Sequence, residues 1–180
     1  MGIAVLYGSS RRKGNTDTLA DLLVEGLDAD KIYLSDYNLQ PITDYRHTDP
    51  RAYPDDDYHK LIDRVLEQDT IVFTTPIYWY GISGVMKTFV DRWSQSLREN
   101  REHFLAKMSA KKAYVIAVGD DEPHVKGLPL IQQFQYIFDF TGTKLDGYII
   151  GDGNKPESIL EDAAALSSVE ELRKRITLKG

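Results

Sequence analysis

Two short stretches of the chain carry residue types suited to more than packing. Residues 8–16, GSSRRKGNT, bring hydroxyls at Ser9, Ser10 and Thr16, an amide at Asn15, the guanidinium groups of Arg11 and Arg12, and Gly8 and Gly14 as flanking glycines. The stretch follows an apolar run and precedes a helical pattern. It therefore sits at a helix N-terminus, where unpaired N–H groups and the positive dipole end favour an anion. Phosphate oxygens accept from all of these donors, the neutral ones contributing about 1 kcal/mol each and charge-assisted ones about twice that. The loop that holds nucleoside triphosphates needs four residues between its glycines and then Lys-Ser/Thr. Here five residues separate Gly8 from Gly14, and Asn15 follows. The Gly-x-Gly-x-x-Gly fingerprint is absent as well, so a single phosphomonoester is the better fit. Asp17 is compatible with it only if its carboxylate points away.

The second stretch, TTPIYWYG at residues 74–81, sets Tyr78, Trp79 and Tyr80 in succession where a strand ends. A buried core uses rings at periodic spacing, whereas three in a row point in several directions and offer at least one to solvent or a ligand. By analogy with bases on protein aromatics, each ring contact is worth about 1–3 kcal/mol. A ligand with a phosphate at one end and a planar ring system at the other satisfies both stretches. Flavin mononucleotide (FMN) is the candidate.

Other chemistries lack their residues. The chain has no cysteine, which removes disulfides, thiol nucleophiles and iron–sulfur ligation. His47, His59, His103 and His124 show no close spacing, so no metal site is expected. Residues 81–85, GISGV, do not match the Gly-x-Ser-x-Gly nucleophile elbow. No acid–base dyad or triad stands out, and no catalytic proton-transfer residue is assigned. A net charge of −6 without a basic stripe argues against nucleic acid as a partner. No segment approaches the ~20 apolar residues of a membrane span. The first residues resemble neither an export signal nor a myristoylation site, so a cytoplasmic location is expected.

Apolar runs at residues 3–7, 70–75, 113–118 and 147–150 read as strands covered on both faces, and residues 31–34 as a weaker strand nearer the edge. Helical stripes lie between them. Leu19, Leu22, Leu23 and Leu27 form the first. Tyr58, Leu61, Ile62, Val65 and Leu66 form the second, with Asp55 as its expected N-cap. Met86, Phe89, Val90, Trp93 and Leu97 form the third behind a capping Ser83, with Lys87 and Asp91 as a structural pair. Leu130, Ile131, Phe134, Ile137 and Phe138 form the fourth, stopped at Gly142. The fifth opens at Pro156 and buries Ile159, Ala163, Leu166, Val169, Leu172 and Ile176. Strict β-α alternation predicts one α/β domain over residues 1–180, a doubly wound five-stranded parallel sheet of order 2-1-3-4-5 with helices on both faces. In that order the loops after strands 1 and 3 face each other across a crevice, which joins the phosphate stretch to the aromatic one. Residues 35–54, with Pro41, Pro50 and Pro54, form one long irregular segment, expected to be functional or to pack against a partner.

On these two motifs, GSSRRKGNT and TPIYWYGISGVMKTFVDRW, the chain resembles the NAD(P)H-dependent FMN reductase family of the flavodoxin-like fold. The resemblance implies that Ser9, Arg11, Gly14, Asn15 and Thr16 hold the phosphate. It implies that Pro76, Ile77, Tyr78, Trp79 and Tyr80 border the flavin ring, and that Gly119 and Asp120 close the far side. It is similar also to iron–sulfur flavoproteins, but the region between strand 2 and the second helix has no cluster cysteines. The expected activity passes electrons from NADPH or NADH through FMN to a small acceptor such as a quinone, nitroaromatic or flavin. The alternative is a flavodoxin-type electron carrier without turnover. A receiver-type signalling domain is disfavoured, because Thr74-Thr75-Pro76 stands where it needs an aspartate. Arg11, Arg12, Arg46 and Arg51 are the candidates for a nicotinamide 2′-phosphate, His124 for an approach to the flavin or nicotinamide, and a homodimer or higher homo-oligomer is expected.

Overall fold

A computed structural model describes residues 2–45, 47 and 53–178. Five strands form one sheet: β1 (Ile3–Tyr7), β2 (Ala29–Tyr33), β3 (Thr70–Pro76), β4 (Lys112–Gly119) and β5 (Lys144–Asp152). Their order is β2-β1-β3-β4-β5 and every pairing is parallel, as the alternation of elements requires. Helices α1 (Asn15–Leu23), α2 (Tyr58–Leu66), α3 (Gly84–Asp91), α4 (Trp93–Ser109), α5 (Pro123–Lys126), α6 (Leu128–Thr141) and α7 (Ala163–Leu178) complete the chain.

The strands alternate between two cores. Ala4, Leu6, Phe73, Val115 and Ala117 pack under α2, α3, α4 and α6. Ile3, Val5, Tyr7, Val72, Ile116 and Ile149 pack under α1 and α7. This double burial is why the strand sequences read as continuous apolar runs.

Several local expectations need correction. The 147–150 run belongs to a longer edge strand, with Lys144 and Tyr148 exposed. The weaker strand β2 does lie at the other edge, but it starts two residues early and releases Leu34 into a 3-10 turn. Leu27 falls beyond α1, which ends at Leu23. The single stripe after Ser83 is two helices, broken at Arg92, and α4 bends again at Asn100, whose φ and ψ are −154° and 78°. Helix α7 begins at Ala163 rather than Pro156, because Asp162 starts it by accepting the Ala165 N–H at 2.9 Å. Ala163 is consequently exposed and Ala165 takes the core position.

Asp55 does not cap α2. Asp57 occupies the N-cap position without a side-chain cap bond, and Asp56 accepts the Tyr58 N–H at 3.1 Å. The acidic run serves a second purpose. Asp56 pairs with Arg92, fully buried at the α3–α4 junction, through contacts of 2.5 and 3.2 Å, and Arg92 also donates to the Gln40 carbonyl at 3.0 Å. Asp57 accepts the Asn38 N–H at 2.8 Å, and Arg98 donates to the Tyr45 carbonyl at 2.6 Å. The described part of the long segment is thereby fastened to α4 of its own chain. Pro50 lies outside the described residues. Ser83 caps α3 as expected, accepting the Met86 N–H, and Lys87 pairs with Asp91 at 2.6 Å.

Candidate functional site

The carboxyl ends of β1, β3, β4 and β5 open onto one cavity of about 220 Å³. Its wall contains Ser9, Arg11, Gly14, Asn15 and Thr16 from the first loop and α1, Pro76, Ile77 and Tyr78 from the second, and Gly119 and Asp120 from the third. The two sequence stretches singled out for chemistry do meet, although about sixty residues separate them.

Hydrogen bonds close the loops into a ring. Ser83 Oγ, buried between the first two loops, donates to the Gly8 carbonyl at 2.5 Å, and the Gly8 N–H donates to Thr74 O at 2.8 Å. Ile77 N–H donates to Val118 O at 2.8 Å, joining the β3 loop to β4. Gly153 N–H donates to Gly119 O at 2.8 Å, and the Asn154 amide donates to Asp120. The Asn15 amide closes the circle by donating to Lys155 O at 3.0 Å. That bond changes the expected role of Asn15, since its side-chain N–H reaches the β5 loop while its buried Oδ1 has no partner.

Helix α1 starts at Gly14 with no side-chain cap, so a position usually held by Ser, Thr or Asp offers its following N–H groups no local acceptor. Ser9 Oγ accepts the Arg11 N–H at 3.0 Å and folds the loop over this helix end. Asp17 turns away from the cavity and accepts the Lys13 N–H at 2.8 Å. Burial pushes its carboxyl above the usual range, against the N–H groups of Lys13 and Gly14. Of the arginines, Arg11 lines the cavity. Arg12 instead lies 3.5 Å above the Tyr33 ring and pairs with Asp36 on the β2 side. Arg46 and Arg51 are outside the described residues.

The aromatic stretch is a two-residue turn. Tyr78 N–H donates to Gly81 O at 3.2 Å and Gly81 N–H to Tyr78 O at 3.0 Å, while Trp79 and Tyr80 between them have φ of 48° and 62°. Positive φ at both central positions defines a type I′ turn, which Asn-Gly ordinarily fills. For residues with a Cβ this conformation costs about 1–2 kcal/mol each. The turn throws Trp79 outward, 95% exposed, so Trp79 and Tyr80 line an adjoining hollow rather than the cavity itself. Strain concentrates at this end of the molecule. All five non-glycine residues with positive φ among those described, Lys13, Trp79, Tyr80, Glu122 and Glu157, lie in loops at the carboxyl edge of the sheet.

Val118, Gly153 and Asn154 complete the cavity and were not anticipated. A signal existed: in the order 2-1-3-4-5 the loop after strand 5 must open on the same edge, and it reads Gly151-Asp152-Gly153-Asn154. Gly153 has a steric reason, since a Cβ there would lie 2.9 Å from Asn15 Nδ2. His124 sits on α5 beside a second adjoining hollow, 4.0 Å from Asp162, and does not line the main cavity. Among the described residues no group of three or more metal-ligating side chains comes together, and no helix is long and apolar enough to cross a membrane.

Sheet order, crevice and strained carboxyl-edge loops define a flavodoxin-like α/β protein with an open cavity at the switch point between β1 and β3. The chain belongs to the NADPH-dependent FMN reductase family, whose model matches residues 1–128. It is 52% identical to a putative NAD(P)H-dependent FMN-containing oxidoreductase of Bacillus subtilis, YwqN, over 97% of this chain and 98% of that protein. A solved Bacillus subtilis structure described as Trp repressor binding protein is 47% identical, with TM-score 0.80, covering 94% of this chain and 96% of that one. An NAD(P)H:quinone oxidoreductase from Methanothermobacter marburgensis shares the fold at 17% identity, with TM-score 0.70 and coverage of 98% and 96%.

Proposed function

We propose that the cavity holds FMN across its two unlike halves. The phosphate end lies against the N–H groups at the start of α1, with Ser9, Arg11 and Thr16 as side-chain donors and Asn15 contributing through its backbone. The ring system lies between Pro76, Ile77 and Tyr78 on one side and Gly119 and Asp120 on the other. The fit rests on the helix N-terminus that no side chain caps, opening into the same cavity as the β3 loop. FMN, when bound, supplies the hydride- and electron-accepting chemistry, and the chain supplies binding, orientation and hydrogen bonds. The N–H of Asp120 or its neighbours would favour negative charge on the ring. No side chain is assigned to essential proton transfer.

The acceptor we propose is a small planar molecule, a quinone, nitroaromatic or free flavin, which uses the open face after the oxidised nicotinamide leaves. We propose one functional domain and a homodimer or larger homo-oligomer, checked by a light-scattering mass well above the 20.5 kDa of one chain.

The visible spectrum tests the cofactor reading. Purified protein, with or without added FMN, should retain a yellow chromophore through gel filtration, and anaerobic NADPH should bleach it promptly. A chain that stays colourless overturns the site. A yellow chain bleached by neither nicotinamide would be an electron carrier.

A further inference from the structure

Trp79 has no role in the cavity, yet it is the most exposed large hydrophobic residue among those described, at 95% against at most 65% for the others. Its exposure is enforced. The left-handed conformations of Trp79 and Tyr80 are locked by the paired Tyr78–Gly81 backbone bonds and by Tyr80 Oη, which donates to Asp121 at 2.7 Å. Asp121 in turn accepts from Lys126 at 2.6 Å. Without these ties the indole would gain by folding onto the neighbouring apolar surface.

Beneath Trp79 lies a hollow of about 150 Å³, walled by Ile77, Trp79, Tyr80, Gly119, Asp120 and Lys126. It shares Ile77, Gly119 and Asp120 with the cavity assigned to FMN, so the two spaces adjoin at the ring end. The hollow's polar edge carries the carboxylates of Asp120 and Asp121 and, among its described lining residues, one cation, Lys126, which is already shared between Asp121 at 2.6 Å and, just outside the hollow, Glu122 at 3.0 Å. The Lys126 ammonium and the Tyr80 hydroxyl hold the Asp121 carboxyl below its usual range, so the edge stays negative through neutral pH.

We propose that this hollow receives the planar electron acceptor, with Trp79 as its stacking wall, and that the acidic edge ranks acceptors by charge, cationic before neutral before anionic. The proposal rests on the cofactor reading above and adds the acceptor's place and its charge preference. For a quinone, reduction to the hydroquinone takes the hydride's two electrons and proton from NAD(P)H plus one proton from water. Asp121 acts as a positioning residue for the turn and as a source of the field. Trp79 touches the acceptor.

The test uses three naphthoquinones that differ only in charge, carrying a trimethylammonium group, no charged group or a sulfonate. With the FMN-loaded protein at low salt, kcat/KM should fall about fivefold at each step from cation to anion, and the spread should shrink at high salt. Asp121→Asn keeps an acceptor for Tyr80 and removes the charge, and should narrow the spread to about half on a logarithmic scale. Trp79→Ala should raise KM about tenfold for all three with kcat and FMN affinity held. Quenching of tryptophan emission supplies a readout apart from turnover, because the second tryptophan, Trp93, is only 4% exposed. The cation should quench Trp79 at lower concentration than the sulfonate, in the chain as purified and after FMN loading. A sulfonate as good as the cation overturns the proposal. So does Trp79→Ala with an unchanged KM, or with lost FMN binding, which would return the indole to the cofactor. A chain that takes up no FMN defeats the cofactor reading instead, and the quenching series then judges the hollow alone.

Discussion

Ser83→Ala removes a hydroxyl that joins the loop after β1 to the loop after β3. Two losses follow from the geometry. The first is the α3 cap, worth about 1 kcal/mol at a typical position, and the 3.4 Å distance to the Met86 N–H argues for no more. The second is the partner of the buried Gly8 carbonyl, which the hydroxyl meets at 2.5 Å. An unsatisfied buried acceptor costs about 1–3 kcal/mol. The Ser83 N–H keeps its bond to Thr75 Oγ1 at 3.0 Å, so the backbone is retained and the losses stay local. Together they predict a destabilisation of about 2–4 kcal/mol. With a urea slope of about 2 kcal/mol per molar, the unfolding midpoint should fall by about 1–2 M at unchanged slope. The measurement belongs on FMN-free protein, because bound ligand adds its own stabilisation and would mask part of the change. FMN affinity should weaken as well, since the loop after β1 loses its tie from Gly8 to the start of α3. A shift below about 0.5 kcal/mol, the range of an ordinary surface substitution, would refute the reasoning and mean that the ring of loops does not depend on this hydroxyl.

Two further outcomes follow. Thr16→Val keeps the shape of a residue 2% exposed at the start of α1 and removes its hydroxyl. FMN affinity by fluorescence titration should fall roughly tenfold if that hydroxyl meets the phosphate, and unchanged affinity would move the phosphate elsewhere. Asp56→Ala strands the fully buried Arg92 charge and should cost about 3–5 kcal/mol of stability at neutral pH. Burial alone would raise the Asp56 carboxyl, but the Arg92 guanidinium and the N–H groups of Gln40 and Tyr58 outweigh it and hold it below the usual range. A depressed folded value means that the stabilisation is complete above the unfolded value of about 4 and is lost as pH falls below it. The wild-type urea midpoint should therefore drop as pH falls below about 4 by an increment that Asp56→Asn lacks.

The sheet was legible because parallel strands buried on both faces leave an uninterrupted apolar signature, as at Val72-Phe73 and Ile116-Ala117. The order of elements then determined which loops meet. Edges were harder to read. β5 keeps Tyr148 exposed on one strand with Ile149 buried, and its length came from pairing with β4 rather than from its own residues. Helix breaks at Arg92 and Asn100 were hidden because the apolar stripe runs through the first of them. The break at Arg92 accompanies a tertiary tie to Asp56, and no single-helix periodicity encodes such a contact. Gly153 and Asn154 were missed for a related reason: their importance lies in bonds to Gly119 and Asp120, thirty-odd residues away in the chain.

The aromatic run shows most plainly how the fold allots its residues to separate tasks. Read as a string, Tyr78-Trp79-Tyr80 is three equivalent rings. The type I′ turn makes them unequal, because two left-handed residues reverse the chain within two positions. Tyr78 is left on the cavity, Tyr80 is tied across to Asp121, and Trp79 is carried to the tip. A glycine at either central position would relieve about 1–2 kcal/mol of strain, yet it would remove a ring or its tether. The strain therefore measures what the turn is built to hold: an aromatic surface kept outside the core, next to the cavity at the carboxyl edge of the sheet. A stability gain on replacing Trp79 with glycine, together with a raised KM for the acceptor, is the paired result required, and a stability gain with an unchanged KM would leave the strained turn without a function.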